Sequence, residues 1–244
     1  MSERTGTKAE GRRWGLPEWG APELKRLALG MLVVTLVMLA IGFAITRLSI
    51  FAGLRAWDAS VANWWVEQRT PTLDTVSHYA TMMSDTQTAI AVTAIAFVLL
   101  RVVLGRWTES LVLLAAIGGE LLYFLVLTTA VGRPRPDVPR LDEAPPTSSF
   151  PSGHTGAAVA LYVCLAFIIW QRVAQKALAV PVAVVLCLIP VAVGLSRMYR
   201  GMHYFTDVVS GALGGLLWLL VVLAVLWPRE EEKEPAPAET LSAS

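Results

Sequence analysis

The chain has 244 residues, 55% of them hydrophobic and only 16% charged, with a formal net charge of +1. A soluble domain of this size carries nearer a quarter charged residues and alternates apolar with polar positions. Here the apolar residues fall in long runs, which excludes a soluble globular domain and implies an integral membrane protein with no nucleic-acid partner.

Residues 1–26 are polar and rich in Gly, Arg and Lys, and read as a cytoplasmic N-terminal arm. The run Leu27–Ile45 is too long for a signal-peptide core and lacks a small-residue cleavage site, so it reads as a retained span. From Leu54 to Asp85, Trp57, Val61, Trp64 and Trp65 recur at helical spacing among Asp58, Asn63, Glu67 and Arg69. That pattern predicts an amphipathic helix in the membrane interface, broken at Arg69-Thr70-Pro71. His78, beside Tyr79, reads as an interface residue. Apolar runs follow at Ala89–Leu104, Leu111–Val131, Thr155–Trp170, Ala177–Leu195 and Val208–Trp227. The expected fold is therefore an all-α integral membrane protein, with six transmembrane helices in a domain over 27–227 plus the interfacial helix. Residues 228–244 read as a disordered acidic cytoplasmic tail. Cys164 and Cys187 fall inside apolar runs and read as buried, inert thiols.

Six spans put both termini on one side. Lys25, Arg26, Arg101, Arg106, Arg172, Lys176 and Arg229 fall on that side, with Trp107, Trp170 and Trp227 as its aromatic belt. The positive-inside rule makes it the cytoplasm, so the chain is expected in the cell (inner or plasma) membrane with its polar loops facing outward.

Three such loops carry chemistry: Gly132-Arg133-Pro134-Arg135-Pro136, Phe150-Pro151-Ser152-Gly153-His154, and Ser196-Arg197 with His203 and Asp207. Charged groups are costly beside hydrocarbon, so their recurrence at span ends marks a site. Cleavage of a phosphate ester or anhydride needs an in-line nucleophile, donors on the phosphoryl oxygens and a proton for the leaving group. Arg135 and Arg197 offer guanidinium forks and Ser152 a hydroxyl. Gly153 allows close backbone approach just ahead of a helix whose first amides favour an anion. His203 and Asp207, four residues apart, would share a helical face, where the carboxylate can orient the imidazole. No cluster of carboxylates suggests a metal, and no cofactor is expected. Asp137, Asp142 and Glu143 read as solvated loop residues, and Arg140 and Arg200 as headgroup anchors against substrate contact. Mid-span Glu120 is either bonded to another helix or placed on the substrate's path.

Taken together, the three segments resemble the three-part signature of the type 2 phosphatidic acid phosphatase superfamily, over roughly Asp58 to Leu226. That superfamily includes bacterial lipid-pyrophosphate phosphatases and the vanadium haloperoxidases. The resemblance implies a metal-free lipid phosphatase acting on a lipid phosphate or pyrophosphate, such as undecaprenyl pyrophosphate, phosphatidic acid or phosphatidylglycerol phosphate. It also implies His203 as nucleophile forming a phosphohistidine, His154 as acid and base, and Asp207 as the orienting carboxylate. A lipid phosphotransferase and a non-catalytic phospholipid-binding relative are the alternatives. One position departs from the pattern: Thr128 stands where the family usually has lysine. Arg133 is the expected compensating charge; weaker phosphate binding, a changed substrate or an inactive relative are the other consequences.

Overall fold

The computed structural model describes residues 16–17 and 19–228, and among them it contains helices and loops but no strand. Most of the expected 1–26 arm and all but Pro228 of the 228–244 tail lie outside the described residues. Helix α1 (Ala21–Arg47) starts ahead of Leu27, so the last residues assigned to the arm are helical. Pro22 sits in its first turn and the Glu23 carboxylate accepts from Gly20 N at 2.9 Å, both of which favour a helix start there. The Leu54–Asp85 segment forms two helices, α2 (Ala52–Glu67) and α3 (Pro71–Met82). The break falls where Thr70 caps α3, accepting from Leu73 N at 3.2 Å with Pro71 in the first turn.

Then come α4 (Thr86–Leu104), α5 (Thr108–Ala130), α6 (Gly153–Arg172), α7 (Lys176–Tyr199) and α8 (Phe205–Leu226). With α1 these make six helices long and apolar enough to cross a bilayer. One turn of α6, Val159–Val163, widens to π geometry, and there the Tyr162 hydroxyl donates to the Met83 carbonyl at 2.6 Å. Cys164 is buried, but Cys187 is exposed on α7, contrary to its expected burial; both are free thiols. An apolar run in a membrane helix has an outward face as well as an inward one, and hydropathy does not separate them.

Helix α8 is the centre of the bundle, packing against α1, α5 and α6. Small residues set these crossings, as expected where lipid supplies no hydrophobic drive between helices. A Cβ on Gly211 would stand 2.4 Å from the Ser152 carbonyl oxygen, so the turn before α6 rests directly on the α8 backbone. At the end away from the polar loops, buried Glu109 is held by Arg106 at 2.8 Å and Arg172 at 2.7 Å. Arg172 also lies over the Trp227 ring, and Arg101 over Trp107. Arg101, Arg106 and Arg172 therefore gather with Trp107 and Trp227 at one end, and the three polar segments with their own arginines at the other.

Neighbouring glycines on α5 give a direct test of this packing. A Cβ on Gly119 would fall 2.2 Å from the Trp218 ring, which cannot withdraw because its indole N–H is bound to the Ala115 and Ala116 carbonyls at 3.1 and 3.0 Å. A Cβ on Gly118 meets nothing within 4 Å. Gly119→Ala is expected to cost about 1–3 kcal/mol by overpacking, read as a lower melting temperature in detergent. Gly118→Ala should be neutral or stabilising by up to about 1 kcal/mol, from helix propensity alone.

Candidate active site

Charge is concentrated behind the site as well as in it. The Arg133 guanidinium lies between two fully buried carboxylates, with Nη1 2.6 Å from Asp207 Oδ1 and Nη2 2.8 Å from Asp58 Oδ2. It also donates to Thr206 Oγ1 at 2.7 Å and stacks on the Tyr204 ring. Asp58 accepts from the Thr206 amide and hydroxyl, and Asp207 accepts from Tyr204 N at 3.0 Å, capping α8. Arg133 does not line the cavity described below. The expectation that it replaces the lysine charge in the phosphate cradle is therefore corrected: two buried carboxylates draw the side chain inward, away from Arg135.

His203 is not on the helix that carries Asp207. It lies in the turn before α8, after Gly201, whose φ of +74° suits glycine. Its Nδ1 is 2.7 Å from the Ser149 carbonyl oxygen and 3.9 Å from Asp207 Oδ2. A carbonyl only accepts, so Nδ1 carries the proton and Nε2 keeps its lone pair. The orienting hydrogen bond expected from Asp207 comes instead from Ser149. Asp207 adds charge attraction at a longer distance and anchors the turn through its own carbonyl, which accepts from Ser152 N at 3.0 Å. The four-residue spacing misled because the helix begins only at Phe205.

The Nε2 of His203 faces a cavity of about 990 Å³ whose wall also includes Arg135, Arg197, His154, Gly153 and Thr128. Arg135 Nη1 is 3.4 Å from that Nε2 and donates to the Met202 carbonyl at 2.9 Å. Burial, then the positive charges of Arg197 and Arg135, hold the His203 pKa well below 6.5. Across the cavity, His154 Nε2 pairs with Asp85 Oδ1 at 2.9 Å, while its carbonyl accepts from the Ser84 hydroxyl at 2.7 Å. The link between α3 and α4 thus grips this histidine at both backbone and ring.

Ser152 is fully buried; its hydroxyl pairs with that of Thr155 at 2.9 Å and does not line the cavity. It shapes the turn rather than presenting a donor, a second departure from expectation. Gly153 does line the cavity, and a Cβ there would stand 2.8 Å from the Phe124 ring. Thr128, at the position where the resemblance implies a lysine, lines the wall, with its hydroxyl 3.5 Å from the Ser148 carbonyl.

Arg197 donates to Thr81 at 2.9 Å and to Asp142 at 3.2 Å, and Arg200 binds both oxygens of the same Asp142. Burial would raise the Asp142 pKa, but the Arg200 hydrogen bond and the charges of Arg200 and Arg197 leave it lowered. Asp142 is thus not merely solvated and Arg200 is not a headgroup anchor: together they tie the 131–152 loop over the site. Asp85 and Asp58 were legible only as polar punctuation of the amphipathic segment, and Ser149 acts through its backbone, which no side-chain motif reports. His78 is exposed at the cavity mouth. Among the described residues, no three His, Cys, Asp or Glu side chains converge as metal ligands.

Below this polar tier the cavity continues as a cleft between α4 and α5, walled by Ile90, Phe97, Leu114, Ile117 and Leu121. A polar roof over an apolar slot fits an amphiphile whose head carries the negative charge.

Comparison with known proteins points the same way. The family model of the PAP2 superfamily matches residues 109–231, half of the chain. Phosphatidylglycerophosphatase B of Bacillus subtilis (strain 168) is 36% identical over 119 residues, 46% of this chain and 56% of that protein's length. The solved structure of a transmembrane PAP2-type phosphatidylglycerolphosphate phosphatase from Bacillus subtilis superposes with a TM-score of 0.70, covering 80% of this chain and 94% of that one at 26% identity. LpxE of Aquifex aeolicus has the same fold at a TM-score of 0.56 and 24% identity, over 68% of this chain and 93% of that one.

Two outcomes test the geometry. Arg133→Ala leaves Asp58 and Asp207 buried without their shared cation, and should cost about 3–5 kcal/mol, read as a collapsed melting temperature or loss of monodisperse protein. His203, with its pKa lowered, should keep a neutral ring at about pH 5.5, a unit below the ordinary value. Nitrogen-15 histidine NMR reads this directly; protonation of that ring near pH 6.5 would contradict the assignment.

Proposed function

Because the chain belongs to the PAP2 superfamily, we propose that it is a membrane lipid phosphatase working through a phosphohistidine on His203 at the extracytoplasmic face. One observation carries this reading: the unprotonated Nε2 of His203 faces a cavity that is cationic at its head and apolar below.

In the proposed first step the His203 Nε2 lone pair attacks phosphorus, and the bond from phosphorus to the lipid oxygen breaks. His154 gives a proton to that oxygen; with Nε2 engaged by Asp85, Nδ1 is the nitrogen left for it. Arg135 and Arg197 balance the charge on the phosphoryl oxygens, and the Nε of each has no hydrogen-bond partner among the described residues. In the second step water attacks phosphorus, His154 takes its proton, the bond from phosphorus to nitrogen breaks, and inorganic phosphate leaves. The outward orientation is supported by the basic residues gathered at the opposite end of the bundle.

The number of cations supports a phosphate monoester over a pyrophosphate. Two guanidiniums face the cavity, Arg133 is engaged elsewhere, and Thr128 brings no charge. The relatives named for phosphatidylglycerophosphate make a glycerolipid monoester the first substrate to try.

The test is phosphate release in detergent from phosphatidylglycerol phosphate, phosphatidic acid and undecaprenyl pyrophosphate, with EDTA present. Wild type is expected to release phosphate from a monoester, and His203→Ala to lose at least about a thousandfold, as removal of a nucleophile does. Wild type quenched in alkaline denaturant should carry label on an acid-labile, base-stable phosphohistidine. Folded wild type that releases no phosphate from any of the three lipids would overturn the reading, and label passing to a lipid or sugar acceptor instead of water would make it a phosphotransferase.

A further inference from the structure

Glu120 sits midway along α5, is 4% exposed and lines the cavity. Among the described residues no group forms a hydrogen bond or ion pair with its carboxyl. An unpartnered acid at that burial is costly unless something else meets it. The helix crossing fixes its depth. The Phe124 ring packs against Gly153 at the start of α6, and one turn further along α5 a Cβ on Gly156 would stand 2.5 Å from Glu120 Oε1. Glu120 therefore lies roughly 5 Å below the turn that carries His154, one helical turn into the apolar cleft.

A phosphate held between Arg135 and Arg197 would place the first few bonds of its lipid at this height. In phosphatidic acid those bonds carry ester carbonyls, in phosphatidylglycerol phosphate a glycerol hydroxyl and phosphodiester oxygens, and in a prenyl phosphate they are hydrocarbon. Against hydrocarbon the carboxyl stays unpaired, whereas as the acid it donates to an ester carbonyl, and sites built to make such a bond discriminate against analogues that lack it. Resting on the lipid-phosphatase reading above, we propose that Glu120 is a specificity-determining residue that selects ester-linked lipid phosphates over those with no acceptor beneath the phosphate.

The probe is a matched pair, diacyl phosphatidic acid and its di-ether analogue without carbonyls, with a polyprenyl phosphate as third substrate. Wild type, Glu120→Leu and Glu120→Gln are compared in detergent by kcat/KM. Wild type is expected to favour the diacyl over the di-ether lipid about five- to tenfold, and over the polyprenyl phosphate at least as much. Glu120→Leu should bring the diacyl to di-ether ratio near one, and Glu120→Gln, which keeps a donor, should retain most of it. Equal wild-type rates on the matched pair overturn the proposal, as does an equal loss on both lipids in Glu120→Leu, the signature of a purely structural contact with Gly156. If Glu120→Leu does not fold, the wild-type ratio decides alone. Folded wild type that cleaves phosphatidylglycerol phosphate but none of these three overturns the selection role alone; folded wild type that cleaves neither these three nor phosphatidylglycerol phosphate sinks the phosphatase reading, and the selection role falls with it.

Discussion

The guanidinium of Arg133 balances two carboxylates that have no exposure to water, and the site is arranged around that pairing. Asp58 comes from α2, Arg133 from the loop after α5, and Asp207 from the first turn of α8, so three distant stretches of chain meet at one cation. Asp207 extends the connection to a fourth, since its carbonyl accepts from Ser152 at the start of α6. Buried ion pairs often add little net stability, because desolvation offsets their attraction. Their effect here is geometric. Each carboxylate oxygen and both Nη nitrogens of the guanidinium at the centre have an assigned partner, so the turn that holds His203 and the turn that opens α6 have one arrangement relative to each other.

The histidines inherit that arrangement through the backbone. His203 is oriented by a carbonyl that stands where it does because Ser149 N bonds the Arg133 carbonyl at 2.9 Å and the Ser149 hydroxyl bonds that of Pro134 at 3.0 Å. A neutral acceptor fixes the tautomer without placing a full negative charge against the ring, and the two cavity arginines then disfavour protonation of Nε2. A buried carboxylate bonded directly to Nδ1 would have opposed that effect. His154 shows the contrast: half-exposed Asp85 sits against its ring, an arrangement suited to a group that gains and loses a proton.

Much of this was legible in the sequence, and the part that was not has a common cause. Six spans, the break before Pro71 and the gathering of Arg135, Arg197, His154 and His203 followed from run length, proline chemistry and the position of polar segments at span ends. The errors were errors of direction. Arg133 was expected to add its charge beside Arg135, and helical spacing placed Asp207 beneath His203, yet each expectation presumes regular backbone, and both residues border irregular turns. Asp142 was read as solvated, Asp58 as the polar face of an interfacial helix and Asp85 only as the end of that segment, because an acidic residue in a polar stretch usually faces water. Only the fold reveals that an arginine from elsewhere in the chain lies opposite two of them and a histidine opposite the third. Ser149 left no signal at all, since any residue supplies a carbonyl.

The same shift in direction gives the Thr128 departure its physical meaning. With lysine absent and Arg133 committed to its two carboxylates, positive charge at the head of the cavity falls to Arg135 and Arg197, helped by the first amides of α6. Arg197 is itself shared with Asp142, so an incoming phosphate competes with a loop carboxylate for it. On the proposed lipid-phosphatase reading, a cradle with fewer free cations holds a dianion with less loss than a more highly charged head, and discrimination among lipids would then shift from the charge of the head to the chemistry just beneath it. Glu120 is the polar group at that depth, which is why the weakened cradle and the unpartnered acid belong to one account of selectivity.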